Sequence, residues 1–106
     1  MSDDYQIEIP QAFIAVYTNT RRRLTVPLAE LRQRYELCED LAQQLIEPGR
    51  HIHCDLGLSE DEVINQLHGG LSSPDSGVSA DEAVWVIKRL AELLDWALPL
   101  WVTESR

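Results

Sequence analysis

Asp55-Leu56-Gly57-Leu58-Ser59-Glu60-Asp61-Glu62 is echoed twenty residues later by Asp75-Ser76-Gly77-Val78-Ser79-Ala80-Asp81-Glu82. Each copy reads Asp-x-Gly-apolar-Ser-x-Asp-Glu, and an apolar run follows it. The serine suits the N-cap of a helix, and the glutamate three residues later can complete a capping box. The Asp-Glu pair that ends each copy also lies in the first helical turn, where the helix dipole favours negative charge. The doubled motif therefore predicts two helix starts in the C-terminal half.

A calcium loop is the functional alternative for the same motif, because Asp-x-Gly with a nearby glutamate resembles part of an EF-hand. An EF-hand loop has acids at positions 1, 3 and 5, a glycine at 6 and a glutamate at 12. Residues 72–74 are Ser-Ser-Pro, and Gly77 stands five residues before Glu82 instead of six. The spacing therefore favours helix capping over calcium binding.

The spacing of apolar residues, together with proline and glycine, predicts the remaining helices. Apolar residues recur every three or four positions from residue 28 to residue 45, which predicts an amphipathic helix from Pro27 to about Glu47, ended by Pro48-Gly49. Residues 51–56 then form a connector. A third helix is expected from Glu60 to His68, ended by Gly69-Gly70, and a fourth from Ala80 to Leu98. Residues 11–18 fit either two helical turns or a buried strand.

These patterns predict an all-α fold, a small bundle of three to four helices. We expect residues 1–10 to be an N-terminal arm, 11–98 the helical domain and 99–106 a C-terminal tail. The last helix is apolar nearly all round, so it is either the central helix or part of an oligomer interface. On this basis we expect a homodimer.

Tryptophans mark the candidate partner-binding surface, because this residue is enriched in interface hot spots. Trp85 and Trp96 are eleven residues apart, which places them on one face of the predicted last helix. They are either core or interface. Leu100 and Trp101 follow Pro99 near the end of the sequence and favour an interface. The candidate partner-binding residues are therefore Trp85, Trp96, Leu100 and Trp101.

Charge is distributed unevenly along the chain, whose net charge is −9. Five of the nine basic residues lie between Arg21 and Arg34, whereas residues 36–82 hold eleven acids and one base. A nucleic-acid-binding surface needs a basic footprint, so we expect no nucleic-acid partner. Arg21, Arg22 and Arg23 are either a solvated loop or a contact for an anion or an acidic partner.

Two cysteines do not make a disulfide framework, and no signal peptide or long apolar span is present. We therefore expect a cytoplasmic protein without a membrane partner. The one constellation that resembles a metal site is His51-Ile52-His53-Cys54, which in an extended segment would point both imidazoles to one side. Cys38 or His68 could add a ligand. A metal-binding or redox-sensing protein using Cys38, His51, His53 and Cys54 is the alternative to an interaction protein.

Three segments resemble a family of short, poorly characterised bacterial proteins sometimes labelled as ATPases with chaperone activity. They are residues 7–17 (IEIPQAFIAVY), residues 34–42 (RYELCEDLA) and the second capping motif leading into residues 88–94 (KRLAELL). The resemblance implies association with chaperone or ATPase machinery. The only lysine, Lys88, has no glycine-rich loop before it, so no P-loop is present. We expect no cofactor and no enzyme activity, and a small acidic adaptor that acts by protein–protein contact.

Overall fold

The computed structural model describes residues 9–99 and 101–102. The prediction of an arm at residues 1–10 therefore falls almost entirely outside the described residues, as do Leu100 and most of the predicted tail. The fold is all-α, as predicted. In chain order the helices are α1 (Gln11–Val16), α2 (Leu28–Gln44), α3 (Ile46–Cys54), α4 (Glu60–Leu71) and α5 (Ala80–Leu94), with a 3₁₀ turn at Pro74–Ser76 before α5.

The chain forms two compact units, Met1–Leu37 and Cys38–Arg106, whose boundary falls within α2. In the first unit, Phe13 is fully buried on α1. Its ring lies 5.5 Å from that of Tyr35, edge to face, and 5.8 Å from that of Tyr17. Residues 11–18 are mostly helical, since α1 covers Gln11–Val16. The packing of Phe13 against the two tyrosine rings anchors α1 within the first unit.

The second unit contains the end of α2 from Cys38 onward and three further helices that pack on one another, α3, α4 and α5. The buried side chains of α4 include Val63 and Ile64, and those of α5 include Trp85, Ile87 and Leu90. The apolar arc of α5 is thus largely covered within the chain itself. The burial of these side chains supports α5 as the central helix of the unit over α5 as part of an oligomer interface.

Both capping boxes form as the doubled motif predicts. The backbone N–H groups of Ser59 and Ser79 donate to the carboxylates of Glu62 and Glu82 at 3.0 and 2.9 Å, and the serine hydroxyls accept in return. The two copies differ in burial, because Glu62 is exposed whereas Glu82 is 1% exposed. The same capping box therefore forms once at the surface and once in the protein interior.

This difference predicts unequal effects of one substitution. Glu62→Ala is expected to lower the free energy of unfolding by about 0.5 kcal/mol, since water can replace the lost acceptor. Glu82→Ala is expected to lower it by about 2 kcal/mol, because the backbone donor of Ser79 is then left without its acceptor in a partly buried place. Urea unfolding of both variants followed by circular dichroism checks the ratio. Equal losses would contradict the assigned burial of Glu82.

Three predicted helix ends are wrong. Pro48-Gly49 does not end a helix but lies inside α3, which follows α2 after Leu45 alone and occupies the predicted connector at residues 51–56 as far as Cys54. Pro48 is the third residue of α3, where the backbone N–H has no partner within the helix in any case. Gly69-Gly70 also lies inside a helix, since α4 continues to the buried Leu71.

The third error concerns α5, which ends at Leu94 instead of Leu98. Asp95 adopts a left-handed conformation with φ of 62°. The N–H of Trp96 then donates to the carbonyl of Ala91 at 2.9 Å, the six-to-one bond of a Schellman motif. The chain therefore turns away from the helix axis four residues before Pro99.

An ion pair joins two helices of the second unit. Arg89 of α5 donates side-on to Glu39 of α2 through Nε and Nη2, at 2.8 and 3.0 Å, and through Nη1 to Glu92 at 2.9 Å. The hydrogen bonds from Arg89 lower the pKa of Glu39 below its ordinary value of 4.5, although partial burial opposes the shift. The pKa of Arg89 is raised, mainly by the same bonds to Glu39.

A lowered folded-state pKa means that the stabilising contribution of Glu39 is complete above about pH 4.5 and is lost as the pH falls through the folded value. Glu39→Gln is expected to lower the free energy of unfolding by about 1 kcal/mol at pH 7, because the pair is bidentate but partly exposed. The difference from wild type should vanish in acid. Asp40→Asn, at the next and exposed position, is the control and should show little of this pH dependence. A Glu39→Gln defect that persists unchanged at pH 3 would contradict the assignment.

Candidate functional site

Trp101 is held against α4 by two contacts. Its indole Nε1–H donates to Oδ1 of Asn65 at 2.6 Å, and its ring lies 4.8 Å from the imidazole of His68. Asn65 and His68 are three residues apart, so they share one face of α4. The indole nonetheless remains 36% exposed. We call this arrangement of Trp101, Asn65 and His68 the Trp101 contact.

The residues around Trp101 explain why its position is fixed. Pro99 and Val102 are buried, and the N–H of Val102 donates to the carbonyl of Pro99 at 3.1 Å. Val102 thus anchors the segment in the protein while Trp101 beside it keeps one side in solvent. A large apolar side chain that is fixed before binding loses little conformational entropy when a partner covers it.

Trp96 makes a second tryptophan–histidine pair. Its ring lies 5.0 Å from that of His53 of α3, edge to face. The Nδ1 of His53 lies 2.7 Å from the carbonyl oxygen of Leu58, and because a carbonyl only accepts, Nδ1 carries the proton. Trp96 is half-buried and follows the left-handed Asp95. It is therefore tied to the structure on one side and accessible on the other.

Trp85 differs from the other candidates. It lies within α5 and is 6% exposed, so within this chain it belongs to the core. The prediction that Trp85 and Trp96 share one face of a single helix is wrong, because α5 ends at Leu94. Leu100, the remaining candidate, lies outside the described residues. Asn65 is a site residue that the sequence does not predict. A single asparagine on an exposed helix face gives no local signal for a contact thirty-six residues away.

The three consecutive arginines lie on a tight loop at residues 19–24, here called the arginine loop. Asn19 organises it, since its side-chain oxygen accepts from the N–H groups of Arg21 and Arg23 at 2.8 and 3.1 Å. Arg22 is left-handed with φ of 65°, and a bridge between Thr18 and Leu24 closes the loop. The backbone is therefore ordered by specific bonds while all three arginine side chains are exposed.

The metal-site candidates are not brought together in the way the sequence suggested. The segment with His51, His53 and Cys54 is helical and not extended, so the two histidines lie about 160° apart around α3, on nearly opposite faces. His51 instead contacts Asp55 at 2.7 Å. Cys38 is buried and Cys54 is exposed, and the two are not joined in a disulfide. Within residues 9–99 and 101–102, no group of three or more histidine, cysteine or acidic residues could hold a metal ion.

No helix within the described part of the chain is both long and apolar enough to cross a membrane. Comparison with family models, with curated proteins and with solved structures finds no match for this chain.

Proposed function

We propose that this chain is a small, acidic, non-catalytic accessory protein that acts by binding another protein through the Trp101 contact. The observation that supports the proposal most is that the Trp101 side chain is partly exposed and is also held in one position. The indole is 36% exposed and is also held by the 2.6 Å bond to Asn65. Partly exposed tryptophans that are fixed in place are typical anchors of protein–protein interfaces.

The surroundings of Trp101 support a protein partner over a small ligand. The side chains beside it are an amide and an imidazole on the exposed face of α4, which suits the polar rim of an interface. Cysteines that are not joined in a disulfide fit a reducing, cytoplasmic setting. Association with chaperone or ATPase machinery remains our expectation for the kind of partner, on the resemblance described for the sequence.

The proposal is tested by affinity capture from the native cell with quantitative mass spectrometry. Trp101→Ala is expected to lose a partner that wild type retains, and Asn65→Ala to weaken it, since the indole is then no longer fixed. Leu37→Ala is a matched control, because it also removes an exposed apolar side chain but lies in the first unit. Circular dichroism must show that each variant stays folded. If Trp101→Ala captures the same proteins as wild type in the same amounts, the proposal is wrong.

A further inference from the structure

The most exposed large leucine of the first unit lies close in sequence to the arginine loop. Leu28, the first residue of α2, is 56% exposed, and Leu24 at the end of the loop is 42% exposed. None of Arg21, Arg22 and Arg23 forms an ion pair with an acid among the described residues. Arg21 to Arg23, Leu24 and Leu28 all lie within residues 21–28 and are exposed, and we call them together the basic surface.

The second unit carries a surface of the opposite kind. Leu56, between α3 and α4, is 61% exposed, the largest exposure among the exposed large apolar side chains of the described residues. Its N–H donates to the carbonyl of His51 at 3.3 Å, which fixes the backbone. Asp55 precedes it, and Glu60 and Asp61 follow in the first turn of α4 without an ion pair among the described residues. We call Leu56 together with Asp55, Glu60 and Asp61 the acidic surface.

The net charges of the two units differ in the same direction as this local contrast. Residues 1–37 contain five arginines and five acids and are neutral overall, whereas residues 38–106 contain thirteen acids and four basic residues. Arginine is enriched at interfaces, and it pairs with carboxylates through a planar, bidentate geometry. Within its own unit, each surface is thus exposed and carries side chains that can pair with charges of the opposite sign.

We propose that a second copy of this chain covers these surfaces, the basic surface of each copy docking on the acidic surface of the other. A two-fold dimer is self-complementary, so the same contact forms twice and both surfaces of both copies are covered. A nucleic acid would also neutralise the arginines, but the chain carries a net charge of −9, and such a partner would leave Leu56 exposed. The inference does not depend on the Trp101 contact, which lies outside both surfaces.

A charge-swap experiment tests the pairing. One variant carries Arg21→Glu, Arg22→Glu and Arg23→Glu, and the other carries Glu60→Lys and Asp61→Lys, which leaves the capping glutamate Glu62 in place. Light scattering coupled to size exclusion measures the mass of each variant and of their mixture. Wild type is expected at twice 12.1 kDa at low salt and to dissociate as salt rises. Each variant alone should self-associate at least about tenfold more weakly, because like charges then face each other.

The mixture is the decisive sample. In a two-fold pairing of one variant with the other, glutamates meet lysines at one contact and arginines meet acids at the second, so dimer should return. Net charge alone cannot produce this result, since the wild-type charge of −9 becomes six units more negative in the first variant and four units less negative in the second, and both stay negative. A monomeric wild type, a dimer that survives either reversal, or a mixture that stays monomeric would each overturn the proposal.

Discussion

Leu90→Ala is expected to lower the free energy of unfolding by about 3 kcal/mol, the largest loss we predict from truncating a single side chain. Leu90 is fully buried on α5, the helix that packs on both α3 and α4. Removing its terminal atoms sacrifices their transfer free energy and leaves a cavity that the surrounding helices close only in part. An effect of this size is a large fraction of the total stability of a small domain.

The measurement is urea unfolding followed by tryptophan fluorescence. All three tryptophans lie in the unit Cys38–Arg106, so fluorescence reports on the unit that contains Leu90. Far-ultraviolet circular dichroism reports on all helices, and a comparison of the two transitions tests whether the units unfold together. Lys88→Ala, an exposed position on the same helix, should change stability by less than about 0.5 kcal/mol. A Leu90→Ala loss as small as that of the control would mean that α5 is not the centre of this unit.

Gly49→Leu is expected to be equally damaging, with a loss of about 3 kcal/mol. Gly49 is buried within α3, and a Cβ placed on it would lie 3.4 Å from Leu94 and 3.7 Å from Leu67. A methyl group fits there in ordinary van der Waals contact, but a leucine side chain needs space that those neighbours occupy. We therefore expect Gly49→Ala to be tolerated or stabilising by up to about 1 kcal/mol, since alanine favours the helix.

Gly70 is the matched control for this pair of substitutions. It also lies inside a helix, but nothing stands within 4 Å of the Cβ that a substitution would add. Gly70→Ala and Gly70→Leu should both be neutral or stabilising, whereas at residue 49 leucine alone should be strongly destabilising. Equal effects of alanine and leucine at residue 49 would contradict the close approach of α3 to its neighbours.

Local chemistry made the all-α class and two of the helix starts predictable. The Ser59 and Ser79 caps depend on residues three positions apart, so the sequence alone is enough to predict both capping boxes. The helix ends were less predictable, because tertiary packing overrides local preference. Gly49 lies inside α3 where close packing needs a small residue, and α4 passes through two glycines to place the buried Leu71.

The candidate site was predictable only in part. Trp101 was selected from its residue type and its place after Pro99, and Arg21 to Arg23 from their charge. The bond from Trp101 to Asn65 and the pairing of Trp96 with His53 depend on how distant segments meet, for which a single sequence gives no local signal. The His51-x-His53 pattern misled for a related reason, since its interpretation as a metal site required an extended segment and the segment is helical.

In-cell photocrosslinking from α4 tests the role of the Trp101 contact most directly. Gly69 and Gly70 are both helical and both open to a larger side chain, which suits them to a photoreactive benzoylphenylalanine. Gly69 lies one turn beyond Asn65 on the face that meets Trp101, whereas Gly70 is rotated by about 100° from it. The account predicts an adduct with a different protein from position 69, lost when Trp101→Ala is added, and little or none from position 70. No adduct from position 69, or the same adduct from both positions, would contradict it.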